Sequence, residues 1–71
     1  MDLTESLKRF RTEFKVTQKQ AAVGAGVAER LYQKYEHGET SPSVHVMMKL
    51  ADSYNVSLDY LVGRSDNPAR N

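Results

Sequence analysis

Residues 17–36, TQKQAAVGAGVAERLYQKYE, constrain the fold of this chain more than any other stretch. Thr17, followed three residues later by Gln20, has the form of a capping box, in which each side chain satisfies the other residue's free backbone amide. A helix therefore starts there. Gly26 suits the left-handed residue that ends a helix, so this one closes near Ala25. Apolar side chains resume at Val27, Leu31, Tyr32 and Tyr35, and they predict a second helix over 28–37, ended by Gly38. Two short helices joined through a Gly turn cross at ~90–120°. Such a crossing needs a small residue where the helices touch, a residue tolerant of positive φ in the turn, and apolar anchors on the second helix. Ala22, Gly26 and the pair Tyr32/Tyr35 stand in that register. Gly24, inside the first helix, costs about 1 kcal/mol relative to Ala, which packing must offset.

The flanks read as helical too. Leu3, Leu7, Phe10 and Phe14 recur at helical spacing and predict a helix over 2–15, with Asp2 and Glu5 forming another capping box. Glu39 to Pro42 is a loop. Ser43 is the N-cap of a fourth helix, on which Val44, Met47, Leu50, Ala51 and Tyr54 form the apolar face. Ser57 caps a last short helix, 58–62, with Leu58 and Leu61 facing inward and Gly63 closing it. The polar tail 64–71, RSDNPARN, is expected to be frayed or flexible. The prediction is an all-α, five-helix orthogonal bundle: one domain over 1–63 with a central helix-turn-helix at about 17–37.

A chain of 71 residues buries only about 60% of its unfolded surface. Its hydrophobic fraction of 39%, unchanged when the four Gly are counted in place of the four Tyr, lies below the usual ~45–50%. Stability must then come from efficient packing or from a partner subunit. No Cys is present, which excludes disulfides, thiolate metal sites and a thiol nucleophile. No apolar run approaches the ~20 residues of a membrane span, and the first residues lack a basic-then-apolar signal. Ten Lys and Arg against nine Asp and Glu give a net charge of +1, too balanced to indicate nucleic acid unaided. His37 and His45, with Glu36 and Glu39 nearby, match no zinc-ligand spacing, so no metal or cofactor is expected. Neither a nucleophile–base pairing nor a glycine-rich phosphate loop is present, and a chain this small has little room for a substrate pocket. The expectation is a protein that is not an enzyme and has no small-molecule substrate.

The stretch Thr17–Glu36 and its surroundings resemble the lambda-repressor-like helix-turn-helix family of phage repressors, Cro proteins and small bacterial regulators. The resemblance spans about 3–65. It includes Leu7 and Arg11 before the motif, Thr17–Gln18, YEHG at 35–38, Pro42–Ser43 and KLADSYNVSLDYLVGRSD at 49–66. It implies a lambda-repressor-like DNA-binding domain with residues 28–37 as the recognition helix in the major groove. Gln18, beside Thr17, matches a position whose side chain bonds a DNA phosphate. Ala28, Glu29, Arg30, Gln33 and Lys34 match the outward face of the recognition helix. Arg30 suits guanine O6 and N7, Gln33 adenine, and Glu29 the cytosine amino group, while Lys34 suits a phosphate. Thr40, Ser41 and Ser43 match a loop that grips another phosphate. Arg11 and Glu36 match positions that pair as a structural ion pair across the core.

The chain also departs from the family pattern. Ala28 cannot cap the recognition helix, a loss on the order of 1 kcal/mol. Glu29 partly compensates through the helix dipole but brings negative charge toward phosphate. Tyr32 stands where an aliphatic residue is commoner, so its hydroxyl needs water or a polar partner. Leu31 replaces a small polar residue and, if exposed, could meet a thymine methyl group. Glu39 replaces basic residues. The resemblance implies a cytoplasmic prokaryotic or phage transcriptional regulator, a repressor that occupies a pseudo-palindromic double-stranded DNA operator as a homodimer, without membrane contact. Self-contact is expected around Leu58, Tyr60, Leu61 and Val62, although Leu58 and Leu61 could equally close the monomer core. The near-neutral charge, with Glu29 and Glu39, leaves open an antitoxin-like or oligomerisation module on the same fold.

Overall fold

The structure is a computed structural model that describes residues 3–70. Helix α1 (Leu3–Phe14) buries Leu7 and Phe10 completely. It ends because Lys15 takes a left-handed conformation at φ 55°, which an α-helix cannot continue. The helix is thus one residue shorter at its C-terminal end than the spacing predicts. Asp2, and with it the capping box to Glu5, lies outside the described residues.

Helix α2 (Gln18–Ala25) is bounded by local chemistry at both ends. Thr17 Oγ1 accepts from the Gln20 amide at 3.0 Å, and Gln20 Oε1 accepts from the Thr17 amide at 2.9 Å. Gly26, at φ 74°, closes the helix. Its exposed side carries Lys19, Gln20 and Val23, while Ala21, Ala22 and Ala25 are buried. Gly24 has its reason in packing. A Cβ built there would lie 2.8 Å from Tyr54 Cε2, and the Gly24 carbonyl accepts from Ser53 Oγ at 2.6 Å. A close backbone approach to the fourth helix offsets the helix-propensity loss.

Helix α3 (Glu29–His37) starts one residue later than predicted. Ala28 is its extended N-cap and makes no side-chain capping bond. Helix α4 (Val44–Tyr54) starts at Ser43, whose Oγ accepts from the Val46 amide at 3.1 Å. Met47, Leu50 and Ala51 are buried there, but Val44 is 70% exposed. Val44 is the first residue of α4 and is not among the residues packed on the core, whereas Val46 and Met47 are; its assignment to the apolar face is corrected. Helix α5 (Leu58–Leu61) is one residue shorter than predicted, because Val62 has left the helical conformation at φ −91°, ψ 2°.

Helix α2 packs on α3 and α4, α1 packs on α3 and α5, and α4 packs on α5. The aromatic centre is Phe10, edge-on to Tyr54 at 5.1 Å and tilted against Phe14 at 5.3 Å. Arg9 ties α1 to the C-terminal segment. Its guanidinium lies 4.3 Å from the Tyr60 ring centroid. It donates to the Tyr60 carbonyl at 2.5 Å, to the Ser65 carbonyl at 3.2 Å and to Asp66 at 3.0 Å. Residues 64–70 form no helix but lie along the body. The Ser57 amide donates to the Pro68 carbonyl at 2.9 Å, and Arg70 Nε to the Val56 carbonyl at 2.9 Å. Tyr60 and Leu61 are completely buried. Both close the monomer core and offer no area to a second copy, which removes them from the expected self-contact; Leu58 and Val62 are half-buried.

Candidate nucleic-acid interface

Helix α3 divides into two faces. At ~100° per residue, Tyr32, Tyr35 and Glu36 share one side, and all three are buried. Arg30, Lys34 and His37 fall opposite and are exposed. Gln33 is half-buried beside them and donates weakly to Glu29 at 3.5 Å. Glu29 and Leu31 flank this outward face, both exposed, Leu31 at 36%. The predicted residues Glu29, Arg30, Gln33 and Lys34 are therefore brought together on one surface, with Ala28 exposed at its start. His37 joins them. Its spacing from Arg30 and Lys34, seven and three residues on, is the signal that sequence reasoning passed over in weighing it as a metal ligand. His37 Nδ1 instead stands 3.5 Å from Glu39. Among the described residues, no three metal-ligating side chains gather at one place.

The turn between α2 and α3 is closed by its own backbone, the Gly26 amide donating to the Val23 carbonyl at 3.1 Å and the Val27 amide to the Ala22 carbonyl at 3.0 Å. The Lys49 side chain lies across Gly26, and a Cβ there would meet Nζ at 2.5 Å. Gly26 is required by its positive φ; the Lys49 chain end laid over it is exposed and can swing aside. Thr40 and Ser41 are exposed on the loop after α3. Ser43 is exposed as well, and its oxygen is engaged as the α4 cap, which leaves the hydroxyl proton free to donate. Thr17 is engaged in the same way at the start of α2.

Behind α3 sits a buried carboxylate. Glu36 is 2% exposed. Arg11 Nε donates to its Oε2 at 2.5 Å and Arg11 Nη2 to its Oε1 at 2.8 Å, a bidentate fork. Arg11 also donates to the Val16 carbonyl at 3.4 Å, next to the start of α2. Gln18 Nε2 donates to Glu36 Oε1 at 3.2 Å. Burial opposes ionisation of Glu36, but the bonds from Arg11 and its neighbours outweigh it and hold the carboxyl below its ordinary range. Glu36 in turn raises Arg11 further. The Tyr32 hydroxyl is buried beside this pair without a hydrogen bond of good geometry. Its polar neighbour is the Glu36 carboxylate, and burial, then that anion, drive its pKa far up.

An all-helical bundle with two short crossed helices, one presenting a polar and basic outer face, defines a helix-turn-helix protein. The comparisons with known proteins agree. The family model "Helix-turn-helix" matches residues 7–61, and the chain belongs to this family, in its lambda-repressor-like form. It is 34% identical to the HTH-type transcriptional regulator ImmR of Bacillus subtilis (strain 168) over 71 residues, covering all of this chain and 56% of that protein. It is 38% identical over 64 residues to the cryptic phage CTXphi transcriptional repressor RstR of Vibrio cholerae, covering 90% and 57%. The chain thus spans about half the length of these curated relatives. Among solved structures, a transcriptional regulator from Listeria innocua matches with TM-score 0.73 at 33% identity, covering 86% of this chain and 57% of that one. The P22 c2 repressor, solved in complex with a synthetic operator, matches in fold with TM-score 0.75 at 23% identity, covering 92% and 98%. The family is one of transcriptional regulators rather than a class of enzymes.

Proposed function

We propose that this chain binds double-stranded DNA sequence-specifically and works as a prokaryotic or phage transcriptional regulator, most simply a repressor. The single observation that carries the reading is the division of α3. Its inner face is committed to the core, while Arg30, Lys34 and His37 stand exposed on the other side with Gln33 half-buried beside them. Placed in a major groove, the start of α3 brings Arg30 and Glu29 to base edges, and Lys34 toward the phosphates. Gln18 and Thr17 at the start of α2, with Thr40, Ser41 and Ser43 after α3, supply phosphate contacts on either side. The mechanism is occupancy of the operator, with no chemistry performed, in the cytoplasm where the DNA is. One such surface reads only a few base pairs, so a pseudo-palindromic site bound by two copies follows from half-sites one helical turn apart.

Selection of bound sites from random duplex DNA, followed by titration against salt, tests the reading. A DNA binder yields a shared motif and an affinity that falls steeply with salt, because Lys and Arg release counterions. Lys34→Ala then weakens all sequences alike and lowers the salt slope by about one. No enrichment together with salt-insensitive behaviour would favour the protein-interaction module instead, which the exposed Glu29 and Glu39 would suit.

A further inference from the structure

Besides the Arg11 fork, Glu36 accepts a hydrogen bond from Gln18, on the oxygen that already takes Arg11 Nη2. We infer that Glu36 is a positioning residue for DNA binding: by taking one amide N–H of Gln18 it aims the other outward at a backbone phosphate. The inference rests on the DNA-binding reading above and adds to it a residue from the buried face of α3.

The chemistry of the two groups carries the argument. A Gln amide turns freely about its last torsion and can offer either its carbonyl or its NH2 group. An ionised carboxylate only accepts, so the Gln18 nitrogen, not the oxygen, must face Glu36. Glu36 stays ionised because Arg11 faces it bidentately. The Gln18 carbonyl, which a phosphate would repel, is thereby kept from swinging into its place. The remaining N–H bonds nothing among the described residues, and Gln18 is only half-buried, so it stays within reach of a ligand. It stands at the first residue of α2, where backbone amides also lack intrahelical partners. Arg11 has a second effect. It neutralises Glu36, so a carboxylate can sit one side chain behind a phosphate contact without repelling the DNA. Holding Gln18 in advance also removes rotamer freedom that would otherwise be lost on binding.

The test is a double-mutant cycle on a selected duplex, run at a temperature where circular dichroism shows every variant folded. Gln18→Ala is expected to weaken binding about tenfold, the worth of one hydrogen bond to a charged group, with the salt slope unchanged because no cation is lost. Glu36→Gln is expected to weaken binding in the wild-type background and to have no further effect once Gln18 is Ala. Equal losses in both backgrounds would overturn the inference, since Glu36 would then act only through the fold. Should Glu36→Gln not fold, the wild-type protein itself suffices. The Gln18 side-chain amide, assigned in NMR spectra by its loss in Gln18→Ala, is expected to show two well-separated protons, of which the outer one moves on adding duplex. Both protons at free-Gln positions, or neither moving at saturation, would overturn it. A wild-type protein that binds no duplex at all would defeat the DNA-binding reading first, and this inference with it.

Discussion

Helices α2 and α3 are neighbours of eight and nine residues, and they are held in place by opposite means. Helix α2 has a complete capping box at its start and Gly26 at its end, but its buried residues are only alanines. Helix α3 starts at Ala28 without a side-chain cap, and it is gripped instead by Tyr32, Tyr35 and Glu36, all beyond its first three residues. The difference bears on function. The end of α3 that would enter a groove has the fewest intramolecular commitments, and the other end carries the load. A helix anchored on the face opposite its reading residues can vary those residues without unfolding.

The comparison breaks most decisively at Glu36. Glu36→Ala leaves Arg11 without its partner, and broken buried pairs cost ~3–5 kcal/mol. Arg11 keeps 25% side-chain exposure and so can recover some hydration, which puts the loss at about 3 kcal/mol. That is a large share of the stability of so small a domain. Thermal unfolding followed by circular dichroism checks it; an unchanged melting temperature would mean that α3 is held by its tyrosines alone. The same pair sets an acid limit. Glu36 is held below its ordinary range when folded, so its contribution is present above about pH 4.5 and is lost as pH falls through the lower folded value. At the alkaline end, burial raises Tyr32 and Tyr54 and pushes Tyr60 up to about 12. These tyrosines ionise first in the unfolded chain, so stability falls as pH climbs past ~10.

Gly26→Ala probes the junction between the two helices. The positive φ of Gly26 gives an expected loss of ~1–3 kcal/mol, read by denaturant unfolding. A loss within a few tenths would show that the turn relaxes and that the α2 end is not fixed locally. Ala28→Ser sharpens the contrast in the other direction. It supplies the missing cap and should stabilise the protein by ~0.5–1 kcal/mol. No gain would indicate that the start of α3 is already held as firmly as that of α2.

The same contrast decides what was legible in the sequence. Thr17, Gln20, Gly26, Ser43 and Ser57 act on backbone groups within a few residues, so the helix limits follow from spacing to within one residue. The Arg11–Glu36 pair entered through family resemblance, since no local pattern joins residues twenty-five apart. Contacts that exist only after the helices pack were not legible: Gln18 on Glu36, Lys49 across Gly26, and Arg9 reaching Ser65 and Asp66. The exposure of Val44 escaped for a related reason, because helical periodicity marks a face but not where the core beneath it ends. On the outward surface Glu29, Arg30, Gln33 and Lys34 entered through the resemblance; His37 did not, although it stands seven residues from Arg30 on the same face.

The central claim is that α3 reads with one face and holds with the other, and Arg30→Ala tests it most directly. Arg30 is exposed on the side of α3 away from the core, so its loss should leave the melting temperature unchanged. On a selected duplex the variant should bind ~1–3 kcal/mol more weakly and accept other bases at one position. Affinity and base preference both intact, in a protein that melts as before, would contradict the account.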